Sequence, residues 1–295
     1  MRKFSVFVLC FYLIASALLA VHSERWFSPS GEPINITYRA LQPGEIITVS
    51  VQDGTRISKV MIQFLEKKYV MGKDDIRSQY LAFLGLDLGL EPGTYNMKIY
   101  IQKSDGGWES LEKKIVVQAK EFPVKRLWVK EKYVIPPPEV RERIKRESNI
   151  LRSIYARFTP QWLGEEKFVI PTSGKVLDNF GERRIYNNKP RSPHGGVDIS
   201  APAGNPVKAS NSGIVVLSTD LYFAGRTVII DHGLGLFTIY CHFSKIAVKR
   251  GEQVKKGEII GEVGATGRVT GPHLHWGVKI LGSRVDPFSV LDFIL

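Results

Sequence analysis

Five side chains in the second half of the chain could do chemistry together: His194 and Asp198 in "SPHGGVDIS", His242 in "IYCHFS", and His273 and His275 in "PHLHW". Residues two apart on a strand project to the same side, so His273 and His275 aim at one spot while Leu274 points away. The same alternation puts Tyr240 and His242 on one face and Cys241 on the other. Between His194 and Asp198 lie Gly195 and Gly196, whose freedom lets the backbone curl so that the two side chains converge. Three or four imidazoles and one carboxylate in a β groove suit zinc, which takes imidazole nitrogen and carboxylate oxygen. A catalytic zinc keeps three protein ligands and a water. Five candidates exceed three ligands, so one zinc per chain leaves two histidines for proton transfer and charge stabilisation; spacing alone does not say which two. There is no HExxH helix and so no adjacent glutamate base, and a histidine that titrates near neutrality has to take that part.

Other residues read more plainly. His232, in the "DHGLG" turn, is expected to be a satisfied structural histidine. Cys241 is expected to be buried as a small hydrophobe. A thiol nucleophile built from Cys241 and His242 is disfavoured, because neighbours on a strand face opposite ways. The cadence of "VKKGEIIGEVGATG" is that of a biotinyl or lipoyl carrier, but no lysine sits at an exposed hairpin tip as such a carrier needs.

The elements that must position these residues form a mostly β chain. The first 23 residues have a basic start, Arg2 and Lys3, an apolar run from Phe4 to Val21 and short residues after it, the layout of a secretory signal with cleavage after Ser23, an uncleaved membrane anchor being the competing reading. Residues 24–120 read as short alternating strands: in "GTYNMKIYIQ", Tyr95, Met97, Ile99 and Ile101 share one face and Asn96, Lys98 and Gln102 the other. With Gly, Pro and Asp punctuation this predicts a small β-sandwich-like accessory domain. Residues 121–165 form a basic linker. "IPPPEVRERIKRESNILRSIYARF" predicts an amphipathic helix with Val140, Ile144, Leu151, Ile154, Tyr155 and Phe158 on its apolar stripe. Residues 166–295, rich in glycine and holding five of the six histidines, predict a compact antiparallel β domain with the candidate zinc groove.

Net charge is +12, or +10 without Arg2 and Lys3, which suits an acidic partner such as an envelope polymer. No helix-turn-helix, finger or aromatic-rich RNA motif supports a nucleic-acid partner. Of the two cysteines, Cys10 lies in the signal and Cys241 is left without a partner in the chain. No other segment is apolar enough to span a bilayer, so no stable membrane insertion is expected once the signal is gone.

The motifs "FGERR", "HGGVD", "VIIDHGLG", "YCHFS" and "GPHLHW", in this order and with "VKKGEIIGEVGATG" among them, resemble those of the lysostaphin-type (LytM-like) zinc endopeptidases of bacterial cell-wall peptidoglycan. The resemblance covers residues 166–295. It implies an antiparallel β domain with a narrow groove and Zn2+ at its floor. It further implies His194, Asp198 and His275 as metal ligands, and His242 and His273 as the catalytic pair that orients and deprotonates water and steadies the oxyanion. The implied substrate is the peptide stem of peptidoglycan, cut as a D,D-endopeptidase would cut it, in the periplasm or cell envelope. The alternative is a non-catalytic wall-binding or activator module that regulates other wall enzymes. The upstream strands, "FPVKRLWV" and the basic helix resemble the N-terminal region of exported members more loosely. Two departures stand out. Cys241 and Phe243 replace a small residue and a leucine beside the strand histidine and are expected to face away from the metal. Arg226 replaces a frequent asparagine at the groove edge and is expected to affect substrate preference.

Overall fold

A computed structural model describes residues 21–54 and 56–292. The expected export signal lies outside the described residues except at its end, where the first strand, His22–Phe27, already begins. No helix among the described residues is long and apolar enough to cross a membrane.

The chain is mostly β, as expected, with antiparallel pairing nearly throughout. In the N-terminal part, a five-stranded sheet (order His22–Phe27, Pro33–Tyr38, Ile46–Gln52, Gln79–Gly85, Gly72–Asp74) faces a four-stranded one (Lys67–Val70, Ile57–Phe64, Gly93–Lys103, Trp108–Val117). Their inner faces close on Ile34, Ile36, Val49, Ile62, Ile99 and Ile101, all fully buried. The alternation read in 95–102 holds: Met97, Ile99 and Ile101 are buried, and Asn96, Lys98 and Gln102 are not.

The strand Gln79–Gly85 departs from simple alternation because it is buried along its whole length. Burial on both faces explains its run "QYLAFLG". Tyr80, Ala82 and Leu84 belong to the sandwich core, while Leu81 and Phe83 belong to the core of the C-terminal part. The Phe83 ring meets that of Trp162 at 5.1 Å, and Asp87 pairs with Arg284 at 2.7 Å. The two halves therefore share a packed interface.

The C-terminal part is built on an eight-stranded sheet. Its main path runs Lys175–Leu177, Gly196–Ser200, Leu274–Ile280, Leu236–Phe243, Gly225–Asp231, Gly213–Leu221 and Gln253–Val254, with Ser283–Val285 paired to Leu274–Ile280. One face, with Tyr240, Trp276 and Val278, packs into the main core. The opposite face is shared by the linker helix and the groove. The helix Pro138–Tyr155 forms as expected, with proline at its start. It buries Ile154 and lays Leu151 and Tyr155 on Leu217, Leu221, Ile229 and Phe237.

One element was not anticipated. Within the linker, Val124–Leu127 is a strand that pairs in parallel with Arg183–Tyr186, so the linker supplies part of a groove wall. Only four residues long and without clean alternation, it offers no period to detect.

Candidate metal centre and groove

Three adjacent strands set the floor of the groove. In the register of Gly196–Ser200 with Leu274–Ile280, Asp198 lies opposite His275; in that of Leu236–Phe243 with Leu274–Ile280, Cys241 lies opposite His275. Cross-strand partners point to the same face, so Asp198, His275 and Cys241 share it. His194 enters from the loop before Gly196–Ser200, where its backbone N–H donates to the Glu182 carbonyl and its own carbonyl accepts from Gly181. Of the two glycines that follow, Gly196 acts differently from the curl expected of it. A Cβ on Gly196 would stand 2.4 Å from the Trp276 carbonyl oxygen and 2.9 Å from Nε2 of His275, so glycine there makes room for the imidazole.

The result is a tight triangle. His194 Nε2 is 2.9 Å from His275 Nδ1, and each of these nitrogens is 3.1 Å from Asp198 Oδ1. His194 Nδ1 lies 2.9 Å from the carbonyl oxygen of Asn179 and must donate to it, which turns Nε2 into the triangle. Burial lowers His275 to a pKa of about 4, so that ring is uncharged near neutral pH. Burial pushes the Asp198 carboxyl up, but its hydrogen bonds with His194 and His275 outweigh this and hold it well below the usual carboxylate range. Two imidazole nitrogens and a carboxylate oxygen, all of them metal-ligating atoms, converge here. A small cation satisfies all three at once. Tetrahedral zinc with bonds of ~2.0–2.1 Å separates its ligands by roughly 3.3 Å, close to the edges of this triangle. The donor set and its spacing thus fit zinc.

Two histidines stand beside the triangle. The His242 ring is 4.9 Å from that of His273 and 6.1 Å from that of His275, centroid to centroid. His273 Nε2 is 3.7 Å from Asp198 Oδ1. Each has its Nδ1 within 2.9 Å of a backbone carbonyl, Thr266 for His242 and Gly271 for His273. Those carbonyls fix the tautomer, leaving Nε2 as the nitrogen free to take a proton in both rings. Burial, followed by repulsion from His273 and His275, lowers the His242 pKa to about 3.

The way His242 reaches this place corrects the simple alternation. Arg226 pairs with Phe243 and Val228 with Tyr240, so Cys241 and His242 together oppose the single residue Thr227. This is a β-bulge, and His242 adopts φ +70 in it. Cys241 and His242 therefore both line the groove, and Cys241 does not face away from the metal triangle as expected. Phe243 does, fully buried in the core. Cys241 is still buried, as expected, and burial pushes its thiol up to about 12, so it carries no thiolate at neutral pH. Arg226 is a further correction: its guanidinium donates to the Ser244 carbonyl, and it is not among the groove-lining residues.

His232 is the structural histidine the sequence suggested. Fully buried, it donates through Nδ1 to the Ser212 carbonyl at 2.7 Å and accepts through Nε2 from the Thr238 hydroxyl at 2.7 Å. Burial lowers its pKa to about 4.

Sequence reasoning missed Asn179 and Arg184 as members of the site. Asn179 accepts from the Asp198 backbone N–H at 3.0 Å and donates to Asp198 Oδ2 at 2.9 Å, besides holding His194 through its carbonyl. Arg184 donates to the same Oδ2 at 2.8 Å. Together they occupy one carboxylate oxygen and leave Oδ1 to the triangle. The only signal was their place at either end of "NFGERR", in which neither side chain advertises a ligand. The groove as a whole has a volume of about 470 Å³ and runs past Lys125, Leu127, Tyr186, Phe223 and Arg268.

A β groove whose floor brings two imidazoles and a carboxylate within bonding reach of one ion, with two more imidazoles beside it, has the layout of a metallohydrolase. The family model of peptidase family M23 matches residues 192–287. A solved structure assigned to peptidase M23 from Pseudomonas aeruginosa aligns at 32% identity and TM-score 0.66, covering 85% of this chain and 95% of that one. This chain belongs to peptidase family M23. It is also 40% identical over 122 residues to the peptidoglycan DD-endopeptidase ShyA of Vibrio cholerae, a match that covers 41% of this chain and 28% of ShyA. It is 44% identical over 97 residues to the DD-carboxypeptidase/endopeptidase Mpg of Neisseria meningitidis, covering 33% of this chain and 22% of Mpg. The chain thus matches about a quarter of the length of these curated relatives.

Proposed function

We propose that this chain is a zinc-dependent endopeptidase that hydrolyses peptide cross-links of peptidoglycan, with D,D specificity, in the periplasm or cell envelope. The observation that carries the reading is the convergence of five residues, drawn from a stretch of 82, on one groove floor. The matches to ShyA and Mpg support the substrate class, and the basic, signal-like start supports export.

In this reading His194, Asp198 and His275 hold the metal. Asn179 and Arg184 orient the carboxylate, and the Asn179 carbonyl orients the His194 ring. When bound, zinc supplies a Lewis acid that acidifies a water and polarises a carbonyl. His242, neutral and with Nε2 unoccupied, takes the proton from the attacking water and passes it on to the leaving amine. His273, pinned through Nδ1 by the Gly271 carbonyl, turns Nε2 to the groove and steadies the oxygen that gains charge as the peptide bond breaks. The bulge at His242 serves this chemistry: without it the ring would leave the groove floor.

The test is to incubate the purified chain with defined cross-linked muropeptide dimers, with and without zinc, and to identify the products by mass. Zinc-dependent conversion to monomers, lost in His275→Ala, is the expected result. Undiminished cleavage by metal-stripped protein overturns the proposal, and so does failure of the zinc-loaded chain to cleave any dimer.

A further inference from the structure

The groove contains a cation that no carboxylate among the described residues pairs with. Arg268 sits on the loop leading to His273 and lines the same groove as His242, His273 and His275. Its place is fixed. The backbone N–H donates to the Phe223 carbonyl at 2.8 Å. Gly267, just before it, has φ +78, and a Cβ there would lie 2.4 Å from Gly225 N and 2.6 Å from Phe223 O. The guanidinium carbon of Arg268 is 4.9 Å from the ring centroids of both Tyr186 and Phe223.

Aromatic rings engage the flat face of a guanidinium, and its N–H groups need acceptors at the edge. Among the described residues the Arg268 side chain has no hydrogen bond and no ion pair. The neighbouring cations are engaged elsewhere: Arg184 with Glu182 and Asp198, Lys125 with Glu182, and Arg191 with the carbonyls of Pro190 and Val134. Among the described residues, Asp198 is the only carboxylate lining the groove, against Lys125, Arg184 and Arg268. Burial, with repulsion from Arg191 and Arg184, lowers the pKa of Arg268 below that of a free arginine, a strain that an arriving anion would relieve.

We propose that Arg268 binds a free carboxylate of the substrate's peptide stem and makes the groove selective for stems in which that carboxylate is not amidated. The proposal rests on reading the groove as a stem-peptide site. A carboxylate suits it because a planar acid meets the edge of a guanidinium with two parallel hydrogen bonds while both ring contacts are kept.

Calorimetric titration of the full chain with a short stem peptide ending in a free carboxylate, and with its carboxamide, reads this contact without requiring cleavage. The chain is expected to bind the carboxylate form roughly 10- to 100-fold more tightly, the range for hydrogen bonds to charged groups. Arg268→Gln is expected to abolish the preference and leave carboxamide binding unchanged. Arg268→Lys is expected to keep part of it, since the charge stays and the fork is lost. Equal affinity of the native chain for both peptides overturns the proposal. So does a preference that survives in Arg268→Gln, or an equal loss for both peptides, which would leave Arg268 a packing role between Tyr186 and Phe223. Should Arg268→Gln fail to fold, the native chain and Arg268→Lys decide the matter. Cleavage assays on dimers built from the same stems separate the two ideas. Preference in binding without hydrolysis upholds Arg268 and sinks the endopeptidase reading; hydrolysis without preference does the reverse.

Discussion

Asn179→Ala removes a side chain that touches no metal ligand atom facing the triangle, yet it should weaken the metal site. The Asn179 amide makes two buried hydrogen bonds with Asp198, one to its backbone N–H at 3.0 Å and one to Oδ2 at 2.9 Å. The first is neutral and the second charge-assisted, so their loss, with one buried N–H left unpaired, costs about 2–4 kcal/mol of stability. Arg184 still holds Oδ2 and the Asn179 carbonyl still holds His194, so the triangle loosens without falling apart. Loss of such an outer partner lowers metal affinity by roughly 10- to 100-fold. Asn179→Asp sharpens the test, because it keeps the acceptor for the Asp198 N–H but sets a second carboxylate oxygen about where a donor stood, 2.9 Å from Oδ2. It should fold at least as well as Asn179→Ala near pH 5 and fall behind as pH rises and the introduced acid ionises beside the Asp198 carboxylate. Zinc competition against a chromophoric chelator gives the affinities, and urea unfolding gives the stabilities. If Asn179→Ala binds zinc within about threefold of the native chain while His275→Ala binds none, the claim that Asn179 orients Asp198 is wrong.

Further consequences can be checked with the same protein. His242→Ala and His273→Ala should keep zinc binding but each lose about 10²- to 10⁴-fold in cleavage rate, the usual yield of a positioned acid or base. Loss of zinc in either variant would move that residue into the ligand set. Cys241, with its thiol pushed up to about 12, should resist alkylation in the native state at pH 8 and react once unfolded in denaturant. Native-state labelling as fast as that of the unfolded chain would contradict its buried placement. For His232, folding lowers the pKa from 6.5 to about 4, so the unfolded chain binds the proton more readily. The stability from the neutral ring is complete above about pH 6.5 and falls by about 3 kcal/mol as pH drops to 4. Urea midpoints of His232→Gln should start lower at pH 7 and lose less between pH 6.5 and 4 than those of the native chain; parallel curves would refute this.

Much of this was legible in the sequence because the signals were local. Alternation in "GTYNMKIYIQ" gave the buried face of its strand, and the apolar stripe of the linker gave the helix and its docking side. Two-residue periodicity aims His273 and His275 together whatever the rest of the fold does, and the structure brings both to the groove with His194, Asp198 and His242. What escaped was non-local. Alternation failed at Cys241 and His242 because a bulge spends two residues against Thr227, a matter of pairing that no single strand reveals. Asn179 and Arg184 are recruited by a loop and a short strand whose partners lie up to 19 residues away. Arg226 looked like a groove residue by position, but the Ser244 carbonyl, just past the end of the neighbouring strand, draws it off. The groove wall formed by Val124–Leu127 depends on a parallel pairing across about 60 residues, which leaves no local mark.

Anomalous diffraction at the zinc edge, on crystals of the metal-loaded chain, tests the central idea most directly. It should give one strong peak in this domain, within ~2.0–2.2 Å of His194 Nε2, Asp198 Oδ1 and His275 Nδ1. A peak bound through other side chains, or none at this triangle under saturating zinc, would contradict the assignment.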